Sequence, residues 1–231
     1  MIPFDRPLED NLMESKLIEK IQLMLLIFYL RDREKLRTDY RIGYVNLFHL
    51  LSKETKEDLE IIKDDYKKIV DKIKAGKAHE LSEGDTLYLG ACTKGATAKS
   101  SYRSQYYSDI PAKSRAFSLK QSYMRYMLNH YIVNEVETYQ PAFTDDELKY
   151  SDFETMVLNK INSYAGSKAG DLYKKFDLKK NVKSVNHLLI MRMLGVKTEN
   201  AQEFEKANIQ IKTIRVRKDG KLREHMSFPN F

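Results

Sequence analysis

One run of ten residues, Ile21 to Leu30, carries no charge and limits what this chain can fold into. Charged side chains make up 32% of the 231 residues, so a run of ten residues without charge is unusual for this chain. The run is too short to cross a bilayer, which requires about 20 residues. It suits a central β-strand that is covered on both faces. With Asp5, Glu9 and Asp10 interrupting the apolar residues near the N-terminus, no secretory signal is visible, and we expect a cytoplasmic protein without a membrane partner.

Three further elements are predicted after this run. Residues 42–51 alternate partly between apolar and polar side chains, which indicates a second strand. Thr55 then opens a helix in which apolar residues recur at three-four spacing, and Gly76 closes it. Leu87, Leu89 and Ala91 alternate with their neighbours and predict a short strand, which ends in a turn at 94–95.

The basic charge of the chain is concentrated after that turn. Residues 91–125 contain seven basic side chains and one acid, a formal +6 of the whole chain's +7. Six aromatic residues between positions 102 and 126 are interleaved with the cations, and this combination is typical of nucleic-acid binding. The alternative is an ordinary solvated face. The seven cations are Lys94, Lys99, Arg103, Lys113, Arg115, Lys120 and Arg125.

Several kinds of site are disfavoured by the sequence. Cys92 is the only cysteine, which rules out an intramolecular disulfide framework and makes a cysteine-built metal site improbable. The five histidines are scattered without ligand spacing, and the pair His79-Glu80 has no second histidine one helical turn away. We therefore expect no zinc site.

The second half of the chain is predicted to begin after an acidic segment, residues 134–150, which we interpret as a linker. Before it, Ser118 is the expected N-cap of a helix that carries Tyr123 and Met127. The run Asp145–Lys149 has the spacing of a magnesium-nuclease motif, but the capping box Ser151–Glu154 behind it indicates a helix start. Beyond the linker we predict three helices and then a hairpin. The helices are expected at 151–164, 171–176 and 184–195, and the hairpin at 209–216 and 222–228 around Asp219-Gly220.

Three segments resemble a known family: Gly76–Gly84, Tyr88–Ala96 and Ala112–Met124. They are similar to the later part of the catalytic domain in GATC-specific type II restriction endonucleases of the Sau-three-AI type, relatives of the mismatch-repair nickase MutH. The resemblance implies an α/β fold, a restriction-endonuclease-like mixed sheet flanked by helices. It also implies double-stranded DNA containing GATC as the partner and magnesium as the cofactor of the intact enzymes.

The same resemblance suggests which residues contact DNA. It places Lys94 where the family has a base-reading lysine, and Gly95 lets the backbone approach closely. It puts Ser118 where the nickase has a DNA-contacting tyrosine. The remaining expected contacts are Lys99, Arg103, Arg115 and Lys120.

A second resemblance concerns the catalytic strands. The family has an Asp and, after six intervening residues, Glu-Leu-Lys, in which the carboxylates bind magnesium and the lysine orients the attacking water. Here Glu203 takes the place of the Asp, Gln210 replaces the Glu, and Lys212 keeps the Lys. A neutral amide does not supply the anionic oxygen on which magnesium depends. We expect no tight metal binding by this chain.

The order of these parts implies two partial MutH-like units. Residues 1–133 resemble the later part of a catalytic domain, and 151–231 resemble the earlier part of a second, degenerate domain. The chain then corresponds to an internal piece or a truncated relative of a longer enzyme, and its partners include the missing part or a second copy. Two alternatives stay open: an active nuclease completed by another acid, and a non-catalytic regulatory or oligomerisation protein whose second unit contacts a partner chain.

Overall fold

The computed structural model describes residues 1–31, 34, 36–95, 101–133, 139–179, 184–214, 216, 219 and 222. The strands within them are β1 Leu23–Leu30, β2 Arg41–His49, β3 Leu89–Thr93, β4 Tyr102–Arg103, β5 Ala112–Lys113 and β6 Arg115–Leu119. The α-helices are α1 Ile18–Ile21, α2 Lys56–Lys74, α3 Gln121–Met127, α4 Asp145–Tyr150, α5 Phe153–Asn162, α6 Ala169–Lys175, α7 Val185–Met193 and α8 Gln202–Ala207. The predicted α/β class is confirmed.

The chain divides into two compact units. Unit 1 comprises Met1–Glu137 and Phe143–Phe153, and unit 2 comprises Thr138–Ala142 and Glu154–Phe231. The acidic segment therefore contains an element of unit 1 and is not simply a linker: α4 begins with a capping box in which Thr144 and Glu147 bond reciprocally, and Leu148 is buried. The correspondence of each unit to a part of a family domain stays a prediction.

The uncharged run forms β1, as predicted, and pairs antiparallel with β2. Its inward side chains are partly buried, and Phe48 of β2 is fully buried. The opposite face of the hairpin is apolar and open to solvent, with Leu25 62% exposed and Leu47 53% exposed. The expectation of a strand covered on both faces is therefore wrong for the part of the chain that the structure describes. The other exposed apolar residues on this face are Leu23, Ile27, Tyr29, Ile42 and Val45.

The core of unit 1 is built on α2, where the predicted three-four spacing produces one buried stripe. Ile69 and Ile73 pack in a cluster with Ile2, Phe4 and other apolar residues from several elements. The stripe also contains two buried carboxylates, Asp58 and Asp65. The helix ends at Gly76 with φ +75°, as the sequence indicates.

The strands after α2 form two short antiparallel ladders. β3 pairs with β6, and β4 pairs with β5. Ser118 lies inside β6 opposite Gly90, so the expected N-cap role is wrong; Lys120 precedes α3, without a side-chain capping bond. Within the described residues the strands form three two-stranded antiparallel sheets.

Unit 2 is helical where it is described. Helices α5, α6 and α7 lie close to their predicted positions. The predicted strand is wrong over residues 209–214, which form no strand: α8 ends at Ala207, and its C-cap Asn208 has a left-handed conformation, φ 55°. Residue 215 lies outside the described residues. What remains of the hairpin is one antiparallel bridge between Val216 and Leu222, and Gly220 and residues 223–228 lie outside the described residues.

Among the described residues, no helix is both long enough and apolar enough to span a membrane.

Candidate nucleic-acid interface

Lys94 lies at the point where β3 leaves its ladder. β3 and β6 pair from Leu89 opposite Leu119 to Thr93 opposite Arg115. One step further, the backbone N–H of Lys94 donates to the carbonyl of Ser114 at 2.8 Å. The backbone of Lys94 is thus fixed by the ladder, while its side chain is exposed to solvent. A lysine held in this way can donate to phosphate oxygens or to guanine edges without first having to order its backbone.

Gly95 allows this strand end to approach the next one. Its φ is +123°, and a Cβ atom added there would lie 2.8 Å from the Cβ of Ser101. Ser114 in turn accepts from Lys94 and donates its N–H to the carbonyl of Ser101 at 2.5 Å. Residues 94, 95, 101 and 114 therefore form one close-packed junction, and a side chain at position 95 would push it apart. Lys99, another expected DNA contact, lies outside the described residues.

The short hairpin beyond this junction carries two more exposed cations. Tyr102 pairs with Lys113, and Arg103 pairs with Ala112. Ala112 is fully buried, whereas Arg103 and Lys113 are exposed. Lys94 lies at the end of the β3–β6 sheet, and Arg103 and Lys113 lie on the β4–β5 sheet, which is joined to it through the backbone of Ser114. We name these three residues the cation set.

Arg115 bonds to the protein's own backbone, whereas the resemblance implied a contact with DNA. One terminal nitrogen of its guanidinium donates to the carbonyl of Ala91 at 2.6 Å, and the other donates to the carbonyl of Leu81. The side chain is partly buried and ties β3 to the turn that follows the His79-Glu80 pair. Its donors are directed at the protein's own backbone, which does not favour a role in contacting DNA.

Lys120 also bonds to the protein itself. Its ammonium donates to the carbonyls of Glu83, at 2.5 Å, and Thr86. Burial lowers the pKa of Lys120, although the carboxylates of Asp65 and Glu83 nearby act in the opposite direction. Ser118 is partly buried in β6. Neither residue is presented to solvent as Lys94 is.

The sequence interpretation missed Asp65, which organises the start of β3. Its carboxylate accepts the backbone N–H of Leu87 at 2.8 Å, of Tyr88 at 2.6 Å and of Leu89 at 2.8 Å. Asp65 itself is fully buried. The sequence does contain a signal for this role, because Asp65 falls on the apolar stripe of α2. A carboxylate buried at such a position needs hydrogen-bond donors around it.

The degenerate catalytic residues do not form a metal site in the described part of the chain. Glu203 lies in α8, is 2% exposed, and accepts the N–H of Ala142 at 3.1 Å and 3.0 Å with its two carboxylate oxygens. Gln210 and Lys212 are exposed in the segment 209–214, which forms no strand. Across the described ranges, no group of three or more His, Cys, Asp or Glu side chains is arranged to hold a metal ion.

Comparison with known proteins finds similarity to a DNA-repair enzyme family and to a restriction enzyme. Residues 1–65 match the family described as DNA mismatch repair enzyme MutH. The whole chain is 34% identical, over 239 aligned residues, to the type II restriction enzyme Sau3AI of Staphylococcus aureus. The alignment covers 100% of this chain and 48% of that enzyme, so the chain spans about half the length of its relative. The mixed α/β architecture is consistent with a restriction-endonuclease-like fold.

Proposed function

We propose that this chain binds double-stranded DNA at GATC sites as one part of a type II restriction system. The observation that carries the proposal is Lys94, fixed by its backbone at the exit of β3 and exposed at its side chain. Arg103 and Lys113 lie on the β4–β5 sheet, which is joined to the β3–β6 sheet through the backbone of Ser114. Similarity to a type II restriction enzyme along the full chain supports the same function.

The proposal includes a division of roles within the cation set. Arg103 and Lys113 contact phosphates, which carry most of the affinity and little sequence information. Lys94, whose backbone is held by the ladder, donates to a base edge and contributes the preference for GATC. Arg115 and Lys120 stabilise the backbone that carries this surface through their bonds to backbone carbonyls.

Cleavage is a separate question, because Glu203, Gln210 and the other described residues do not fit magnesium. The ion takes oxygen ligands and is usually bound through carboxylates. Glu203 is buried against the N–H of Ala142, and Gln210 contributes no negative charge. We therefore infer that the chain binds DNA and that hydrolysis requires carboxylates from further polypeptide, from a partner or from a longer protein.

The test is a titration of a labelled duplex with one GATC site, followed by fluorescence anisotropy over a series of salt concentrations. A duplex with the four bases scrambled measures the preference for the site. We expect Lys94→Ala to weaken binding to GATC roughly tenfold or more, and to weaken binding to the scrambled duplex less, because a base contact is lost. Arg103→Ala should weaken binding to both duplexes by the same factor and lower the salt slope of binding by about 1.

Lys53→Ala is the matched control, since Lys53 is an exposed lysine of unit 1 that lies on a different element. It removes the same charge, and we expect affinity and preference to stay close to those of the unaltered chain. The proposal is wrong if the unaltered chain does not bind duplex at low salt, or if Lys53→Ala and Lys94→Ala behave alike.

A further inference from the structure

The loop that joins β4 to β5, residues 104–111, displays apolar side chains to solvent. Tyr106 is 60% exposed, Tyr107 37% and Ile110 53%. The rings of the two tyrosines meet edge to face, with centroids 4.9 Å apart. Along the chain, Arg103 lies just before this loop and Lys113 lies just after it. Two members of the cation set therefore flank the loop.

The backbone of this loop is nonetheless firmly anchored. The side chain of Gln105 accepts the N–H of Ala78 at 3.0 Å and donates to the carbonyl of Ile110 at 2.5 Å, which joins the two ends of the loop. The N–H of Tyr106 donates to the carbonyl of the buried Phe4 at 2.7 Å. These bonds tie the loop both to itself and to the core of unit 1.

The loop also closes tightly on the end of α2. A Cβ atom added at Gly76 would lie 2.7 Å from the carbonyl oxygen of Tyr107, so the two backbones are in close contact there. The order of this loop therefore comes from its backbone and from Gln105. It does not depend on burial of Tyr106 or Ile110, which remain available to a partner.

Fixed aromatic side chains beside cations are suited to duplex DNA. Tyrosine presents a large apolar surface at low cost in conformational entropy, and an anchored loop reduces that cost further. Deoxyribose edges are the apolar surface that an intact duplex offers next to its phosphates, because its base faces are stacked on one another.

We propose that Tyr106 and Ile110 make a preformed apolar contact with the deoxyribose edges of the duplex that the cation set binds. This inference rests on the proposed function. It adds a contact of a different physical kind, because an apolar contact releases no counterions. Loss of the contact should weaken binding by the same factor at every salt concentration, whereas loss of a phosphate contact should lower the salt slope.

The experiment uses the same labelled GATC duplex and salt series with Tyr106→Ala, Ile110→Ala and Tyr106→Phe. We expect Tyr106→Ala to weaken binding about 5- to 50-fold with an unchanged salt slope. Tyr106→Phe keeps the ring and should bind within about twofold of the unaltered chain. Ile110→Ala should lie between them. Tyr150→Ala is the control, because Tyr150 is 90% exposed on α4, away from the loop in sequence.

Thermal unfolding of each variant separates contact from folding. Equal melting temperatures together with weaker binding of Tyr106→Ala would support the contact, as would rescue by Tyr106→Phe. Binding that is lost in Arg103→Ala but kept in Tyr106→Ala would overturn the aromatic contact alone. A complete lack of duplex binding by the unaltered chain would overturn the proposed function and the aromatic contact with it.

Discussion

The carboxylate of Asp65 accepts the backbone N–H of Tyr88 at 2.6 Å, and through this bond α2 positions the strand that carries Lys94. The neighbouring N–H groups of Leu87 and Leu89 donate to the same carboxylate. Removal of the acid would leave three donors without this acceptor in a buried site. We expect Asp65→Ala to lower the free energy of unfolding by roughly 3 kcal/mol or more, because buried unpaired donors each cost about 1–3 kcal/mol. Urea unfolding near pH 4 measures the loss.

Asp71→Ala is the matched control for this loss. Asp71 lies on the same helix, and its side chain is 53% exposed in an ion pair with Lys67. An exposed pair of this kind contributes about 0.5 kcal/mol or less. Equal losses in the two variants would show that the three backbone bonds to Asp65 do not hold β3 in place.

The pH dependence of stability should also carry the signature of Asp65. Burial raises the pKa of this carboxyl to about 6 from its ordinary 3.8, against the three N–H donors and the Lys120 ammonium, which lower it. The folded protein then holds the proton more tightly than the unfolded chain does. The contribution of Asp65 to stability is complete below about pH 3.8 and is lost as the pH rises through about 6, by roughly 3 kcal/mol in total.

Unfolding titrations of the unaltered chain and of Asp65→Ala between pH 4 and pH 7 check this sign. We expect the difference between the two free energies to be larger near pH 4 than near pH 7. A difference that grows with pH would mean that the backbone donors outweigh burial and that the pKa of Asp65 is lowered in the folded protein.

The role of Asp65 shows where sequence interpretation reaches its limit. The apolar stripe of α2 and its end at Gly76 were predictable, since both depend on residues a few positions apart. The donors to Asp65 lie 22 to 24 residues further along the chain, and no local pattern pairs an acid with them. The open face of the β1–β2 hairpin was missed for a related reason, because an apolar run does not show whether both of its faces are covered.

The candidate site was predictable only in part. Charge and glycine placement pointed to Lys94 and Gly95, which the structure places at a strand end and at a positive φ, and their contact with DNA stays a prediction. The charge of a residue does not show where its side chain points, however. Arg115 and Lys120 were therefore grouped with Lys94, although their side chains donate to backbone carbonyls. Ser118 resembled a helix cap because it stands three residues before α3, yet cross-strand pairing with Gly90 places it in β6.

Substitution of Arg115 and of Arg103 can distinguish a side chain that donates to the protein's own backbone from one that is exposed to solvent. Arg115→Ala removes two guanidinium bonds to buried carbonyls, and we expect a loss of about 1–3 kcal/mol in unfolding free energy. Its salt slope of DNA binding should stay unchanged. Arg103→Ala should do the opposite, with stability within about 0.5 kcal/mol and a slope lower by about 1. If Arg115→Ala lowers the slope while leaving stability intact, its guanidinium contacts phosphate and the bonds to Leu81 and Ala91 are dispensable.

Restoration of the missing acid should not restore cleavage. Gln210→Glu adds one carboxylate, but Glu203 is buried and both of its oxygens lie within 3.1 Å of the N–H of Ala142. A single exposed carboxylate holds magnesium weakly, and the segment 209–214 forms no strand to align it with Lys212. We expect no linear product when plasmid with GATC sites is incubated with the variant and magnesium.

Two reference reactions make the plasmid result interpretable. The same plasmid treated with the Staphylococcus aureus enzyme shows that its sites can be cut, and Gln210→Ala shows any background nicking. Cleavage by Gln210→Glu above that background would mean that Glu203 leaves Ala142 to bind the metal. The bond from Ala142 to Glu203 would then be a closed state of an active site, and the carboxylates required for hydrolysis would all be present in this chain.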